Sequence, residues 1–365
     1  VLVVTVKAQF RVNGLVFMKT YKNLYSKVCS FENLYKAYLK ARKAKRYKEY
    51  VLRFSWNLEE ELQKLQEELI NQTYQHGDYY EFTLYDAKKR EIKAAPFRDR
   101  VVHHAICAVI EPIFDNSFIY DSYACRKGKG THSAIKRLDH FVRSACTKWG
   151  EENVYCLKCD ISKYFDSIDH SVLRFLIEKK IKDPKLLWLI NKVIKSSLSQ
   201  RIYKTLFDFR DTGIPIGNLT SQLFANLYLD ELDQFVKHVL GIKYYLRYMD
   251  DFLVLSNDKK ELHKLESVFR KFLKKNLKLE LHYKKVSLSP LSKGISFLGY
   301  CVYRNYKLIR SSTVRRFIKK MKSKKTASER KVAIRSWLSF ASYANVYNLE
   351  QFLRRSLINN YLTTQ

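Results

Sequence analysis

Asp250 and Asp251 stand side by side between two apolar runs in the stretch YYLRYMDDFLVLS at 244–256. An apolar run, a short charged tip and a second apolar run predict a β-hairpin with the acids at its turn. Adjacent carboxylates repel each other and are costly to desolvate, so a sheet that holds them at a tip calls for a counter-ion. For a hard oxygen pair the usual one is Mg²⁺. An exposed acidic turn is the plain alternative for an isolated Asp-Asp. The choice rests on whether the chain supplies a third carboxylate, a phosphate clamp and a nucleic-acid surface.

Asp160 is the candidate third acid. In NVYCLKCDISKYFDSIDH, residues 153–170, the first half reads as a strand with Asp160 at its C-terminal end. It meets Asp250 only if that strand pairs beside the hairpin in one antiparallel sheet. Three carboxylates at one sheet edge suit two Mg²⁺ ions roughly 4 Å apart, which stabilise the attacking and leaving oxygens of phosphoryl transfer. One would lower the pKa of a primer 3′-hydroxyl and the other would hold a triphosphate. Positioning and charge neutralisation then carry most of the rate. Asp166 and Asp169 are expected to cap the helix that starts near Ser171, or to turn the chain.

Cations for a phosphate clamp occur in two places. Arg98 and Arg100 sit at the entrance of a helix predicted within APFRDRVVHHAICAVIEPIF, 95–114, where backbone N–H groups add to the attraction for an anion. In YACRKGKGTHSA, 123–134, Arg126, Lys127 and Lys129 alternate with Gly128 and Gly130. Glycines let backbone approach a ligand and the cations neutralise it, although the spacing is not that of a P-loop. GIPIGNLTSQLFANLY, 213–228, is a Gly/Pro loop running into an apolar helix. Its Gly217, Asn218, Ser221 and Gln222 are small or polar groups that can pack against a base pair. His103 and His104 diverge by about a quarter turn on their helix, so they read as core or surface histidines rather than metal ligands. Cys156 and Cys159 face opposite sides of a strand and read as packing residues.

Of the elements that must position these groups, residues 31–50 read as one basic helix with Leu34, Ala37 and Ala41 on one side. Asn57 and Glu60 form a candidate capping box for a helix carrying Leu58, Leu62, Leu65 and Leu69. Residues 79–85 and 91–95 read as two strands. Helices are expected from about 171, at 186–193, from the 213–228 loop to about Leu240, and at 259–277. LELHYKKVSLS (279–289) and ISFLGYCVY (295–303) each read as a strand, and basic helices follow from Lys307.

The 365 residues suffice for two or three lobes and a sizeable core. Lys and Arg outnumber Asp and Glu by 68 to 36, a net charge of +32. That excess points to a polyanionic partner, nucleic acid ahead of membrane. The 26 Tyr and 22 Phe weigh against disorder and offer faces for base stacking. No apolar run approaches the roughly 20 residues of a membrane span. An odd number of scattered cysteines, seven, fits reduced cytosolic thiols better than a disulfide framework, so a cytoplasmic location is expected. The chain begins with Val1, and residues 1–17, ahead of Met18, read as upstream readthrough or an alternative start.

Four segments in order resemble a reverse transcriptase: CDISKYFDSIDH, GIPIGNLTSQ, the YMDD hairpin, and LHYKKV followed by FLGY. YMDD matches the family's Tyr-x-Asp-Asp motif, and the set spans roughly residues 90–305. The resemblance implies an α+β right-hand polymerase with an antiparallel palm sheet, mixed α/β fingers and an α-helical thumb. Its parts would be an N-terminal extension at 1–30, fingers with part of the palm at 31–150, palm at 151–305 and thumb at 306–365. It implies Asp160, Asp250 and Asp251 as ligands of two Mg²⁺ ions. Phe165 would be the steric gate beneath the sugar. Arg98, Arg126 and Lys129 would contact the triphosphate, and Lys285, with Lys284 competing, would lie near the leaving pyrophosphate. Ile216, Gly217 and Gln222 would line the dNTP site, and Phe297, Leu298, Gly299 and Tyr300 would form the primer grip.

The 216–222 loop narrows the resemblance. Group II intron-related enzymes usually carry Gln-Gly-x-x-x-Ser-Pro there, whereas this chain has Ile216 and Gln222 at the first and last positions. That variant resembles the enzymes of diversity-generating retroelements, as do the flanking APFRDRVVHHA, DSYACRKGKGTHSA and SWLSFASYAN. The resemblance then implies error-prone cDNA synthesis from a template-repeat RNA, with template RNA, cDNA, dNTPs and a small basic accessory protein as partners. The alternatives are a retron or defence-associated reverse transcriptase and a catalytically idle RNA-binding scaffold. A full group II intron protein is not expected, because the chain ends soon after the thumb.

Overall fold

The computed structural model describes residues 19–85, 89–196, 211–323 and 326–353. The expectations for residues 1–17 and for the chain beyond 353 lie outside the described residues. Four helices come first: α1 (Tyr25–Cys29), α2 (Phe31–Ala41), α3 (Glu49–Trp56) and α4 (Leu58–Ile70). Leu34, Ala37 and Ala41 are buried, as their spacing predicts, and Tyr38 joins them. The single helix expected over 31–50 is instead two. Ala44 between them takes φ 59°, a left-handed conformation that no α-helix carries through. Asn57 stands at the N-terminus of α4, but its side chain makes no capping bond, so the predicted capping box does not form.

A two-stranded hairpin follows, β1 (Tyr80–Tyr85) on β2 (Lys89–Ala94), then α5 (Phe97–Asp115) and α6 (Thr131–Trp149). The centre of the molecule is a four-stranded antiparallel sheet. It is built from β3 (Tyr155–Asp160), β4 (Tyr245–Tyr248), β5 (Asp251–Ser256) and β6 (Ser287–Pro290) in the order β4-β5-β3-β6. Between β3 and β4 lie α7 (Tyr164–Ser167), α8 (His170–Glu178), α9 (Pro184–Lys195) and α10 (Leu219–Gln234). A π-helical turn, Phe235–Val239, extends α10. Asp169 caps α8, accepting from the Ser171 and Val172 amides at 3.0 Å each.

Both faces of this sheet are covered, which is why its strands read as apolar runs rather than as an alternation. Leu157, Cys159, Tyr245, Phe252 and Val254 face the larger core, with α5, α8, α10 and α11 (Lys259–Leu277). Cys156, Leu246, Leu253 and Leu255 face a second core formed with α6 and a small three-stranded sheet. The two cysteines therefore pack on opposite faces.

The small sheet is β7 (Ile295–Phe297), β8 (Tyr300–Val302) and β9 (Lys307–Ile309). ISFLGYCVY is thus a hairpin rather than one strand. It turns at Leu298 and Gly299, both left-handed at φ 48° and 91°. Of 279–289 only the end joins a strand, while Leu281 forms an isolated bridge to Ile161. The helices α12 (Ser311–Lys322), α13 (Ala327–Ala341) and α14 (Tyr347–Leu353) complete the described chain, with Phe317 stacked on Trp337 at 4.3 Å. Among the described residues no helix is long and apolar enough to cross a membrane.

Candidate active site at the edge of the central sheet

β3 and β5 are antiparallel, and their register ends with Asp160 directly opposite Asp251. β4 and β5 are joined by Met249 and Asp250, with Tyr248 opposite Asp251. The pairing that the sequence required is present, and it puts three carboxylates at one sheet edge. Asp160 and Asp251 also share a face, because side chains opposite each other in a register point the same way.

The acids perturb one another. Burial, then the neighbouring Asp251 and Asp160, push the Asp250 carboxyl up to about 6. Burial also raises Asp251, with Lys158 opposing the shift and Asp160 adding to it. Two lysines balance the charge. Lys285 Nζ donates to Asp160 Oδ1, and Lys158 Nζ lies 3.6 Å from Asp251 Oδ1. Lys285 reaches Asp160 because the chain beyond α11 runs along the end of β3. The Ser162 amide donates to Glu280 O at 2.8 Å and the His282 amide to Asp160 O at 2.7 Å. A turn then brings Lys285 N to His282 O at 3.2 Å. Lys284 is exposed, so of the two lysines it is Lys285 that meets the acids.

The donor set is all hard carboxylate oxygen, which suits a divalent cation of the Mg²⁺ type. As placed, no group of three His, Cys, Asp or Glu side chains among the described residues stands in a ligating arrangement. Lys285 and Lys158 bring cationic charge beside Asp160 and Asp251.

The other predicted residues are distributed as follows. Phe165 is half-buried in α7, edge-on to Tyr164 at 5.6 Å, and its carbonyl accepts from the Ile214 amide at 2.9 Å. This bond fixes the 213–218 loop beside it. Ile216 O accepts from the Lys93 amide of β2 at 3.1 Å, so that loop also touches the β1–β2 hairpin. Gly217 takes φ 120°, and a Cβ there would lie 3.1 Å from Ile92 Cγ2. Gln222 is half-buried in the first turn of α10. Asn218 and Ser221, expected to face a base pair, are buried, and Asn218 Oδ1 accepts from the Ala95 amide at 3.4 Å.

The expected triphosphate cations have protein partners. Arg98 pairs with Glu68 and lies over the Tyr74 ring at 5.5 Å. Arg126 is nearly buried, holding Asp115 Oδ1 at 2.5 Å and the Ile119 and Ser122 carbonyls at 2.7 and 3.1 Å. Lys129 donates to the Tyr120 carbonyl and sits 3.8 Å from that ring's centroid. Burial and Arg126 pull its ammonium down to about 8. The glycine-rich loop is therefore braced internally by the cations that were expected to face a ligand.

Phe297 and Tyr300 pair across the β7–β8 turn. Lys158 lies 5.8 Å from the Phe297 ring centroid, between this hairpin and Asp251. Sequence reasoning missed Lys158; its only signal was a cation within an otherwise apolar strand, two residues before Asp160. It also missed Arg247, which is fully buried against Asp233 behind the Met249–Asp250 turn.

Residues 85–302 match the family described as reverse transcriptase (RNA-dependent DNA polymerase). The match covers more than half of the chain, and the chain belongs to this family. Its α+β fold, with an antiparallel palm sheet at the centre, is the right-hand polymerase fold. The chain is 27% identical over 279 residues to protein YkfC of Escherichia coli K12, covering 67% of this chain and 71% of that one. It is 26% identical over 319 residues to the group II intron-encoded protein LtrA of Lactococcus lactis, covering 68% of this chain and 50% of LtrA. The chain thus spans about half the length of LtrA. A telomerase from Candida albicans, solved with a fragment of telomeric RNA, aligns at TM-score 0.46 and 11% identity over 63% of this chain and 45% of that chain. Enzymes of this family use divalent metal ions.

Proposed function

We propose that the chain is an RNA-directed DNA polymerase whose two Mg²⁺ ions are held by Asp160, Asp250 and Asp251. The observation that supports this most directly is the register that sets Asp160 opposite Asp251, next to Asp250. When bound, the ions supply charge stabilisation to the attacking and leaving oxygens. The chain's own residues do the rest. Asp250 and Asp251 present hard oxygens from a rigid hairpin, and Lys285 releases Asp160 as it turns to the pyrophosphate. Phe165 lies beneath the sugar, Ile216, Gly217 and Gln222 border the nascent pair, and 297–300 supports the primer. In this reading the fingers are 31–150, the palm 151–305 and the thumb the helices after 306. Arg98, Arg126 and Lys129, held by protein partners in the free chain, exchange them for the arriving triphosphate.

The test is Mg²⁺-dependent dNTP incorporation on a primed RNA template, wild type beside Asp250→Asn. Equal incorporation by both would sink the mechanism.

We further read the enzyme as that of a diversity-generating retroelement, copying a template-repeat RNA with errors and working with a small basic accessory protein. The support is Ile216 and Gln222 at positions where intron-related enzymes carry Gln and Pro. A second reading, an intron-encoded reverse transcriptase, is favoured by the similarity to LtrA. The neighbouring DNA separates them: two near-identical repeats differing mainly at adenines on the first reading, flanking intron RNA domains on the second.

A further inference from the structure

Immediately before the YMDD tip, β4 carries a guanidinium with no solvent exposure. Arg247 and Asp233 are each 0% exposed, and a charge of this kind is almost never fully buried unless paired. Arg247 Nε donates to both Asp233 oxygens at 2.8 and 2.9 Å, and Nη2 donates to Oδ2 at 2.6 Å. Tyr245 holds the same carboxylate through its hydroxyl at 2.6 Å. The remaining donors reach outward. Nη2 meets Ser122 Oγ at 3.1 Å, and Nη1 meets Asn226 Oδ1 at 3.3 Å and the Met249 carbonyl at 3.0 Å.

The bond to Met249 joins this network to the carboxylates. Met249 is left-handed at φ 56°, a conformation that costs a non-glycine residue free energy and persists only where its surroundings impose it. The backbone of Arg247 is fixed as well: its amide donates to Asp121 O and its carbonyl accepts from the Tyr123 amide, both at 3.0 Å. These bonds close the otherwise open edge of β4. Asn226 ties the network to the glycine-rich segment by donating to Ala124 O at 2.7 Å. A buried ion pair is not needed for stability alone, since apolar side chains of similar volume usually serve as well. A donor aimed at the Met249 carbonyl cannot be replaced in that way.

We propose that Arg247 is a positioning residue for the cation site: clamped by Asp233, it holds the Met249 carbonyl and thereby sets the placement of the Asp250 carboxylate. The proposal rests on reading the three aspartates as cation ligands. Arg247→Lys keeps the charge but cannot reach Asp233 and Met249 together. The test measures Mn²⁺ binding to the full chain by electron paramagnetic resonance without nucleotide, alongside the Mg²⁺ dependence of incorporation and thermal melting. Mn²⁺ affinity is expected to fall about tenfold, and the Mg²⁺ needed for half-maximal rate to rise by a similar factor, as when supporting partners of metal ligands are removed. The KM for primer–template should stay within about twofold, because that contact lies elsewhere. If the lysine variant does not fold, Arg247→Met with Asp233→Leu replaces the pair by apolar volume and should show the same loss. A folded variant of either kind with wild-type Mn²⁺ affinity overturns the proposal. Wild-type protein without Asp250-dependent Mn²⁺ binding would instead overturn the cation-site reading beneath it.

Discussion

Asp250 carries opposing demands. A carboxyl raised from its ordinary 3.8 to about 6 in the folded chain binds its proton more tightly there than in the unfolded chain. Stability from this group is therefore present at low pH and lost as pH rises from about 4 through 6. Cation binding needs the ionised form and runs the other way. Asp250→Asn should raise stability by about 1–3 kcal/mol above pH 6, measured by denaturant unfolding, while abolishing incorporation. Wild-type incorporation at limiting Mg²⁺ should fall with an acid limb near pH 6, and that limb should move lower as Mg²⁺ saturates; a limb that ignores Mg²⁺ would exclude Asp250 as its source. Ile216 lends itself to a second test. Its half-buried side chain offers no hydrogen bond beside the loop that Lys93 and Phe165 hold. Ile216→Gln should lower misincorporation opposite template adenine, since one positioned polar contact is worth roughly 1–3 kcal/mol of discrimination. An unchanged error spectrum in primer-extension sequencing would refute this.

At the scale of elements, the central hairpin and β3 were legible because each is mostly apolar and ends at an acid, with a single interior cation, Arg247 or Lys158, too few to break the pattern. Local breaks were not. Ala44 and Leu298 are non-glycine residues in left-handed conformation, which their side chains do not announce, so one predicted helix is two and one predicted strand is a hairpin. The β7–β8 turn also packs closely on α13. A Cβ on Gly299 would lie 3.2 Å from Phe340 Cζ, at φ 91°. Gly299→Ala should cost about 1–2 kcal/mol from backbone strain alone, seen as a lower melting temperature, with weaker use of primer ends as the functional counterpart. A neutral effect on both would show that the hairpin yields without consequence.

The whole molecule carries a net charge of +32, and many of its cations lie on helix surfaces. If that surface grips a primer–template, log affinity should fall with log salt at about −0.9 per phosphate neutralised. Six or more such contacts would mean a loss of about a thousandfold between 50 and 200 mM salt. A loss below about tenfold in a fluorescence-anisotropy titration would assign the charge another role.

Residue types and their order were enough to name Asp160, Asp250 and Asp251, to expect them on one antiparallel sheet, and to place the chain among reverse transcriptases. Each segment is written locally, in hydrophobic period, turn chemistry and charge within a dozen residues, and the order of the segments along the chain did the rest. The partners of the cations are not written locally. Arg98 finds Glu68, Arg126 finds Asp115, Lys285 finds Asp160 and Arg247 finds Asp233. An ion pair forms where folding brings opposite charges together, often from distant positions, and no local pattern marks which cation will be left facing a ligand. The sequence alone could therefore single out the acids of the candidate site, while the tertiary structure decided which basic residues lie beside them and which acidic partner each of the others meets.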